Sequence, residues 1–150
     1  PMNAFSYIHS HGIALERSYT GRPERCRAAP ASPVSLVTGL AIACNEELIR
    51  HLLFELGPIS VGVNAEHLQF YSHGILTAQC AEPEAIDHAM LLTGFGQDAG
   101  VPYWRLRNSW GADWGEAGYF RAVRGSAYCG IDRMASVPIV NTKKNRCYSN

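Results

Sequence analysis

The sequence predicts an α+β domain built on an antiparallel sheet, and three observations lead there. Four strand-like segments, Ile75 to Thr77, His88 to Phe95, Tyr103 to Asn108 and Tyr119 to Arg124, follow one another without a helical period between them, and strands joined that directly pair antiparallel. The segment Asn45 to Leu56 carries a complete helix signature. The chain has 150 residues, 47% hydrophobic and 17% charged. That is enough for one core, and a charge content below the roughly 25% of an average domain points to an unusually large covered surface.

From the N-terminus, Pro1 to His11 reads as a helix: Pro suits the first helical position, Met2, Phe5 and Ile8 recur every three residues, and Gly12 follows as terminator. A helix opening on the first residue is read as a chain that starts within a domain. Ile13 to Pro33, interrupted by Gly21, Pro23, Pro30 and Pro33, reads as surface loop, and Ser35 to Ile42 as a strand. In Asn45 to Leu56, Asn45 caps, Glu46 and Glu47 complement the helix dipole, Leu48, Ile49, Leu52, Leu53 and Leu56 form one apolar stripe, and Gly57-Pro58 stops the helix. Ile59 to Val63 reads as a strand, Glu66 to Tyr71 as a short helix ended by Gly74, and Val137 to Val140 as a last strand. The polar, basic stretch Asn141 to Asn150 reads as a tail, so the domain is assigned to residues 1–140 and the tail to 141–150.

Thirteen basic and thirteen acidic residues cancel, which argues against nucleic acid or an anionic membrane as partner. No apolar run approaches the roughly 20 residues that span a bilayer, and no basic segment followed by an apolar run marks a signal peptide. Cysteines at 26, 44, 80, 129 and 147 form no Cys-x-x-Cys pair and have no His at ligand spacing, so disulfides in an oxidising compartment are expected rather than a metal. The odd number leaves at least one thiol unpaired within the chain.

The chemistry concentrates in Tyr103 to Phe120, where 18 residues hold three Trp and three Gly around one uncharged amide, Asn108. Trp104 and Leu106 alternate with Arg105 and Arg107, which puts Asn108 on the inward side at the strand's end, under Trp110 and Trp114. A lone Asn there reads as a turn-tying residue. His88, directly after Asp87 and opening an apolar strand, alone reads as a core histidine. Together they read differently, because a general base needs a neighbour that fixes its tautomer, and a buried amide oxygen does so without adding charge.

Asp87-His88-Ala89, Leu91-Leu92-Thr93-Gly94-Phe95-Gly96, Tyr103-Trp104, Asn108-Ser109-Trp110-Gly111, Trp114-Gly115 and Gly118-Tyr119-Phe120 resemble, in order and nearly in spacing, the His and Asn regions of papain-like cysteine peptidases. Glu47 to Val63 resembles that family's helix-Gly-Pro-strand segment, and Met2 to Tyr19 the stretch after its active-site helix. The resemblance runs from Pro1 to Val140 and covers the C-terminal portion only. It implies the right-hand half of the papain-like fold, a twisted antiparallel, barrel-like sheet with flanking helices.

Carried over, the resemblance implies that His88 is the general acid/base, that Asn108 orients it, and that Trp110 shields their hydrogen bond and lines the primed side of the cleft. It implies a Cys80–Cys129 disulfide. It also makes Gly62, Ile86, Asp87, Ala89 and Met134, with Pro1 and Trp110, substrate-binding residues. Gly62, Ile86, Ala89, Met134 and Pro1 would line the S2 pocket, for the second residue before the cleaved bond, and an all-apolar lining favours a hydrophobic side chain there.

The chief departure is the absence of the family's nucleophilic Cys, its oxyanion-hole Gln and its substrate-binding Gly-Gly pair. Tyr19-Thr20, where the family has Tyr-Pro, and the tail after Val140 are lesser ones. Cys44 precedes a helix start, but Glu46 and Glu47 oppose a lowered thiol pKa and the family places this segment away from His88. Cys26 matches a position that in the family bonds to the absent half, and is a candidate cross-link to that half or to a second chain.

The expected function is a cysteine-type endopeptidase present as its His/Asn-bearing part, with no metal or organic cofactor, acting on peptides or proteins. Alone it is expected to be inactive and to expose apolar surface that drives association. The alternative is an inactive half-protease that binds peptides or proteins. The compartment implied is lysosomal, endosomal, vacuolar or extracellular.

Overall fold

The structure is a computed structural model that describes residues 2–13 and 37–140. The reading of Ile13 to Pro33 as loop and of Asn141 to Asn150 as tail, the residue Pro1 and the cysteines Cys26 and Cys147 therefore fall wholly or almost wholly outside the described residues. The elements are α1 (Met2–His11), β1 (Val37–Ala43), α2 (Glu46–Leu56), β2 (Ile59–Val63), β3 (Ile75–Leu76), β4 (His88–Asp98), β5 (Val101–Arg107), β6 (Tyr119–Val123), a 3-10 turn at Tyr128–Gly130 and β7 (Ala135–Val140). The strands lie in the order β1-β7-β2-β4-β5-β6-β3. The chain divides into a larger unit, Ala41–Val137, and a smaller one holding α1 and the outer ends of β1 and β7.

In the larger unit, β5 shows the expected alternation: Trp104 and Leu106 are fully buried while Arg105 and Arg107 face solvent. Phe120 and Ala122 of β6, Leu92 of β4 and Ile59, Val61 and Val63 of β2 close the same core. Each large side chain buried there contributes about 1.5–3 kcal/mol. Helix α2 packs Ile49 and Leu53 inward. Asn45 caps it through a 2.8 Å bond from the Leu48 N–H, and Gly57, at φ 99, returns its N–H to Leu53 O. Glu46 does more than complement the dipole, because its carboxylate accepts from Trp104 Nε1 at 2.7 Å and from the N–H groups of Gly125 and Ala127. It ties α2 to β5 and to the turn after β6.

Three readings are corrected. Glu66 to Tyr71 is not a helix but a pair of turns, Leu68 N–H to Ala65 O and Tyr71 N–H to Leu68 O. Side chains hold the backbone groups at and just before this stretch: Asp87 Oδ1 accepts from Ala65 N–H, the local Asn64 Oδ1 from Glu66 N–H, and Leu68 O from Trp114 Nε1. The sheet is not wholly antiparallel, since β3 pairs parallel with β6. Both strands leave from one end, where Glu116 accepts from the Gly74 N–H and from Arg121, and the Tyr71 hydroxyl donates to Gly74 O. Finally β4 runs to Asp98 and β5 begins at Val101, because Ala99 (φ 46) and Gly100 (φ 83) make the two-residue left-handed turn that suits a hairpin.

The Glu116 cluster gives the fold a pH dependence. Burial alone would raise the Glu116 pKa, but bonds from Arg121 and from the Gly74 N–H outweigh it and hold the carboxyl below its ordinary value of 4.5. A carboxylate depressed on folding adds stability that is present above its unfolded pKa and lost as pH falls through the lower folded value. Thermal melts between pH 7 and pH 3 are expected to show Glu116→Gln less stable than the parent near neutrality, with the gap closing below pH 4.5. A gap that stays constant down to pH 3 would count against this account.

In the smaller unit, α1 buries no residue and ends on Gly12, at φ 75, whose N–H returns to Ile8 O. His9 Nδ1 donates to Val37 O, and the Thr38 hydroxyl to Ile139 O. No helix among the described residues is long and apolar enough to cross a membrane.

Candidate active site

His88 opens β4, with its backbone paired to Val63 of β2, and Asn108 follows the last residue of β5. Because β4 and β5 are antiparallel neighbours, with Leu91 opposite Arg107, the start of one strand meets the end of the other. His88 Nε2 lies 3.0 Å from Asn108 Oδ1. The same oxygen accepts from the Ser109 N–H at 2.8 Å. A backbone N–H can only donate, so the amide atom facing it is the oxygen, and His88 Nε2 must carry the proton that it shares with that oxygen. In the neutral ring Nδ1 is then the free base.

Asn108 is 7% exposed. Its backbone N–H donates to Gly118 O at 2.9 Å. Gly118 sits at φ 86, which strains any other residue, and a Cβ there would come within 3.1 Å of Gly111 O, so the opposite arm of the Asn108–Tyr119 loop would have to give way. Asn108 Nδ2 is buried with no acceptor among the described residues. Such an orphan adds nothing to stability and fits a side chain placed for its oxygen. The Trp110 ring lies 5.2 Å from the His88 ring, centroid to centroid, and is itself braced edge-on by Trp114 at 5.1 Å. Trp110 remains 43% exposed, so it covers the His88 side of the pair while presenting a face to solvent.

The apolar residues expected beside the pair converge. Gly62 stands opposite Ala89 in the β2–β4 ladder, and its N–H donates to Met134 O. A Cβ at Gly62 would meet Ile86 Cγ2 at 2.7 Å and Met134 Sδ at 3.2 Å. Ile86 also reaches Gly130, where a Cβ would lie 2.7 Å from its Cδ1. Two bare glycines thus seat one isoleucine. Asp87 is turned away from this group, since its carboxylate accepts from Ala65 N–H and stabilises the loop after β2.

Cys80 and Cys129 form a disulfide. Cys44 is a free, exposed thiol at the start of α2. Two residues on, Glu46 bonds Trp104, four residues back along β5 from Asn108, or about 13 Å at strand rise. Glu66, His67 and Cys80 cluster closely enough to suggest a metal site. Cys80 is spent in the disulfide, however, while His67 and Glu66 are engaged with the backbone of Gln79 and Ala81. Two contributors were not legible in the sequence. The Ser109 N–H, a backbone group, leaves no side-chain signature. Gln79, which accepts from Cys129 N–H and donates to Ser126, sits in a stretch with no period to read.

A family profile described as papain family cysteine protease matches residues 1–139. Mouse cathepsin F is 41% identical over 94% of this chain and 32% of its own length, and the thiol protease aleurain of Arabidopsis thaliana is 37% identical over 93% and 41%. Among solved structures, digestive procathepsin L 3 of the Tenebrio molitor larval midgut superposes with a TM-score of 0.80 at 38% identity, over 90% of this chain and 46% of that one. Bromelain from Ananas comosus, in complex with the E64 inhibitor, gives 0.78 at 33%, over 90% and 66%. The chain spans less than half the length of the curated relatives it matches. The fold, an α+β portion of the papain-like architecture, and the profile across residues 1–139 agree, and the chain belongs to the papain family of cysteine proteases.

Proposed function

We propose that this chain is the His/Asn-bearing part of a cysteine endopeptidase, residues 1–140 forming the peptidase portion and 141–150 a polar tail. The nucleophilic thiolate would come from the family's Cys-bearing half, either in the same polypeptide or in a second chain held through Cys26. The observation that carries the reading is the His88–Asn108 bond, whose shared Oδ1 fixes the proton on Nε2 and leaves Nδ1 for chemistry.

With a thiol at Nδ1, proton transfer gives a thiolate–imidazolium pair. The thiolate attacks the peptide carbonyl, and His88 Nδ1–H protonates the amine as the C–N bond breaks, leaving an acyl thioester. Neutral His88 then takes a proton from water, the hydroxide adds to the thioester, and the acid leaves as the thiolate and imidazolium re-form. Gly62, Ile86, Ala89 and Met134, with Pro1, would receive an apolar side chain in S2, Trp110 would line the primed side, and the compartment would be lysosomal, endosomal, vacuolar or extracellular.

The test assembles the chain with the Cys-bearing half of a relative, titrates it with an epoxide thiol reagent, and assays peptides differing only in the second residue before the cleaved bond. One reactive thiol per assembly is expected, with kcat/KM higher for Leu than for Arg by at least about tenfold, because the lining offers a cation no partner. Tight peptide binding without labelling or turnover would instead support the non-catalytic alternative.

A further inference from the structure

A cavity of about 350 Å³ opens at the Asn108–Tyr119 loop, lined by Arg107, Ser109, Gly111, Ala112, Ala117 and Tyr119 together with Asn108 and Gly118. Trp110, whose ring faces His88, is not among its lining residues, while Asn108, which bonds His88, is. Arg107 is its only charged lining residue and joins none of the ion pairs among the described residues. Arg107 and Tyr119 are cross-strand partners, and the Arg105 guanidinium lies 3.9 Å from the Tyr119 ring centroid, so a second cation stacks on a lining residue.

Only some of the loop's own donors are spent. Asn108, Glu116, Gly118 and Tyr119 satisfy their N–H groups within the loop. The N–H groups of Gly111, Ala112 and Ala117 enter no hydrogen bond among the described residues. Gly111 and Ala117 hold positive φ, 92 and 55, a backbone conformation that occurs in anion-binding turns. The acidic residues of the loop do not oppose this, because Glu116 is bound to Arg121 and Gly74 and Asp113 is not among the lining residues.

From an unpaired guanidinium, free backbone donors and a small concave volume, we propose that this cavity binds a small ligand carrying an oxyanion, a carboxylate or a tetrahedral sulfate or phosphate group. The charge sits against Arg107, and the oxygens accept from the Ser109 hydroxyl and the Gly111–Ala112 backbone. Asn108 is common to this cavity and to the His88 pair, so occupancy is sensed at His88.

The test titrates the whole 150-residue chain with inorganic sulfate, inorganic phosphate and succinate, following backbone amide and imidazole resonances. Saturable shifts at Ser109, Gly111, Ala112 and Gly118 are expected, with the His88 imidazole moving on the same curve and at least tenfold weaker binding in Arg107→Gln. Arg133→Gln, at an exposed arginine paired with Glu84, should bind as the parent does. Preference for sulfate or phosphate identifies a tetrahedral ligand, and preference for succinate a carboxylate. Shifts that never saturate, or equal binding by Arg107→Gln, overturn the proposal. No peptidase activity is read, so the result stands apart from the catalytic reading.

Discussion

Replacing His88 by Ala in the assembled peptidase is expected to lower kcat by about 10³-fold or more, toward the upper end of what a positioned acid/base contributes. Asn108→Ala should cost less, because the imidazole remains and only its tautomer and orientation are released. The two losses should not add, since in the proposed mechanism Asn108 would act through His88. The informative variant is Asn108→Asp. A carboxylate there still accepts from Ser109 N–H and from His88 Nε2, so it preserves the geometry. It also adds a negative charge that favours imidazolium, and the alkaline limb of kcat/KM, where the ion pair loses its proton, should move to higher pH. A merely structural Asn108 would give reduced stability with an unchanged pH profile in all its variants. Full activity in His88→Ala would remove the residue from the mechanism altogether.

The parts of the fold written in side-chain period were legible, and those written in backbone geometry were not. Strand β5 could be read from Trp104 and Leu106 alternating with arginines, and α2 from its cap, stripe and Gly-Pro stop. The hairpin joining β4 to β5 was missed because Ala99 takes a left-handed conformation usually given to Asn or Gly, and Pro102 argues against a strand. The helix read at Glu66 to Tyr71 failed because a local Asn64 side chain takes its first N–H, and Asp87 and Trp114, from elsewhere in the chain, hold the preceding Ala65 N–H and the Leu68 carbonyl. At the site, His88 and Asn108 were found by residue type and resemblance, and the structure brings them to bonding distance. What the sequence left undetermined was the tautomer. It depends on the Ser109 N–H, and a backbone donor becomes visible only once the turn is built. Glu46 was read as a dipole partner, yet three donors from β5 and the β6 turn converge on it, and sequence distances of 58 to 81 residues put such contacts beyond local inspection.

Removing the Cys80–Cys129 bond should have the largest effect on stability. The two cysteines are 49 residues apart, and closing a loop of that size lowers the entropy of the unfolded chain by an amount worth about 4 kcal/mol. For a chain of this size that corresponds to a fall of roughly 8–16 °C in Tm. The double variant Cys80→Ser with Cys129→Ser isolates the effect, since it also removes the exchange partners that the exposed Cys44 thiol would otherwise attack. Differential scanning calorimetry of this variant beside the oxidised parent reads the difference, and equal Tm values would refute the estimate. The functional consequence should be uneven. The bridge anchors the turn Tyr128–Gly130, and Gly130 is one of the two glycines that seat Ile86. The His88–Asn108 pair hangs instead on the β4–β5 ladder and on the Gly118 contact. In the assembled enzyme, losing the bond should therefore raise KM for peptides with a large apolar second residue while leaving kcat within about twofold, whereas loosening of the catalytic pair would lower kcat and leave KM nearly fixed.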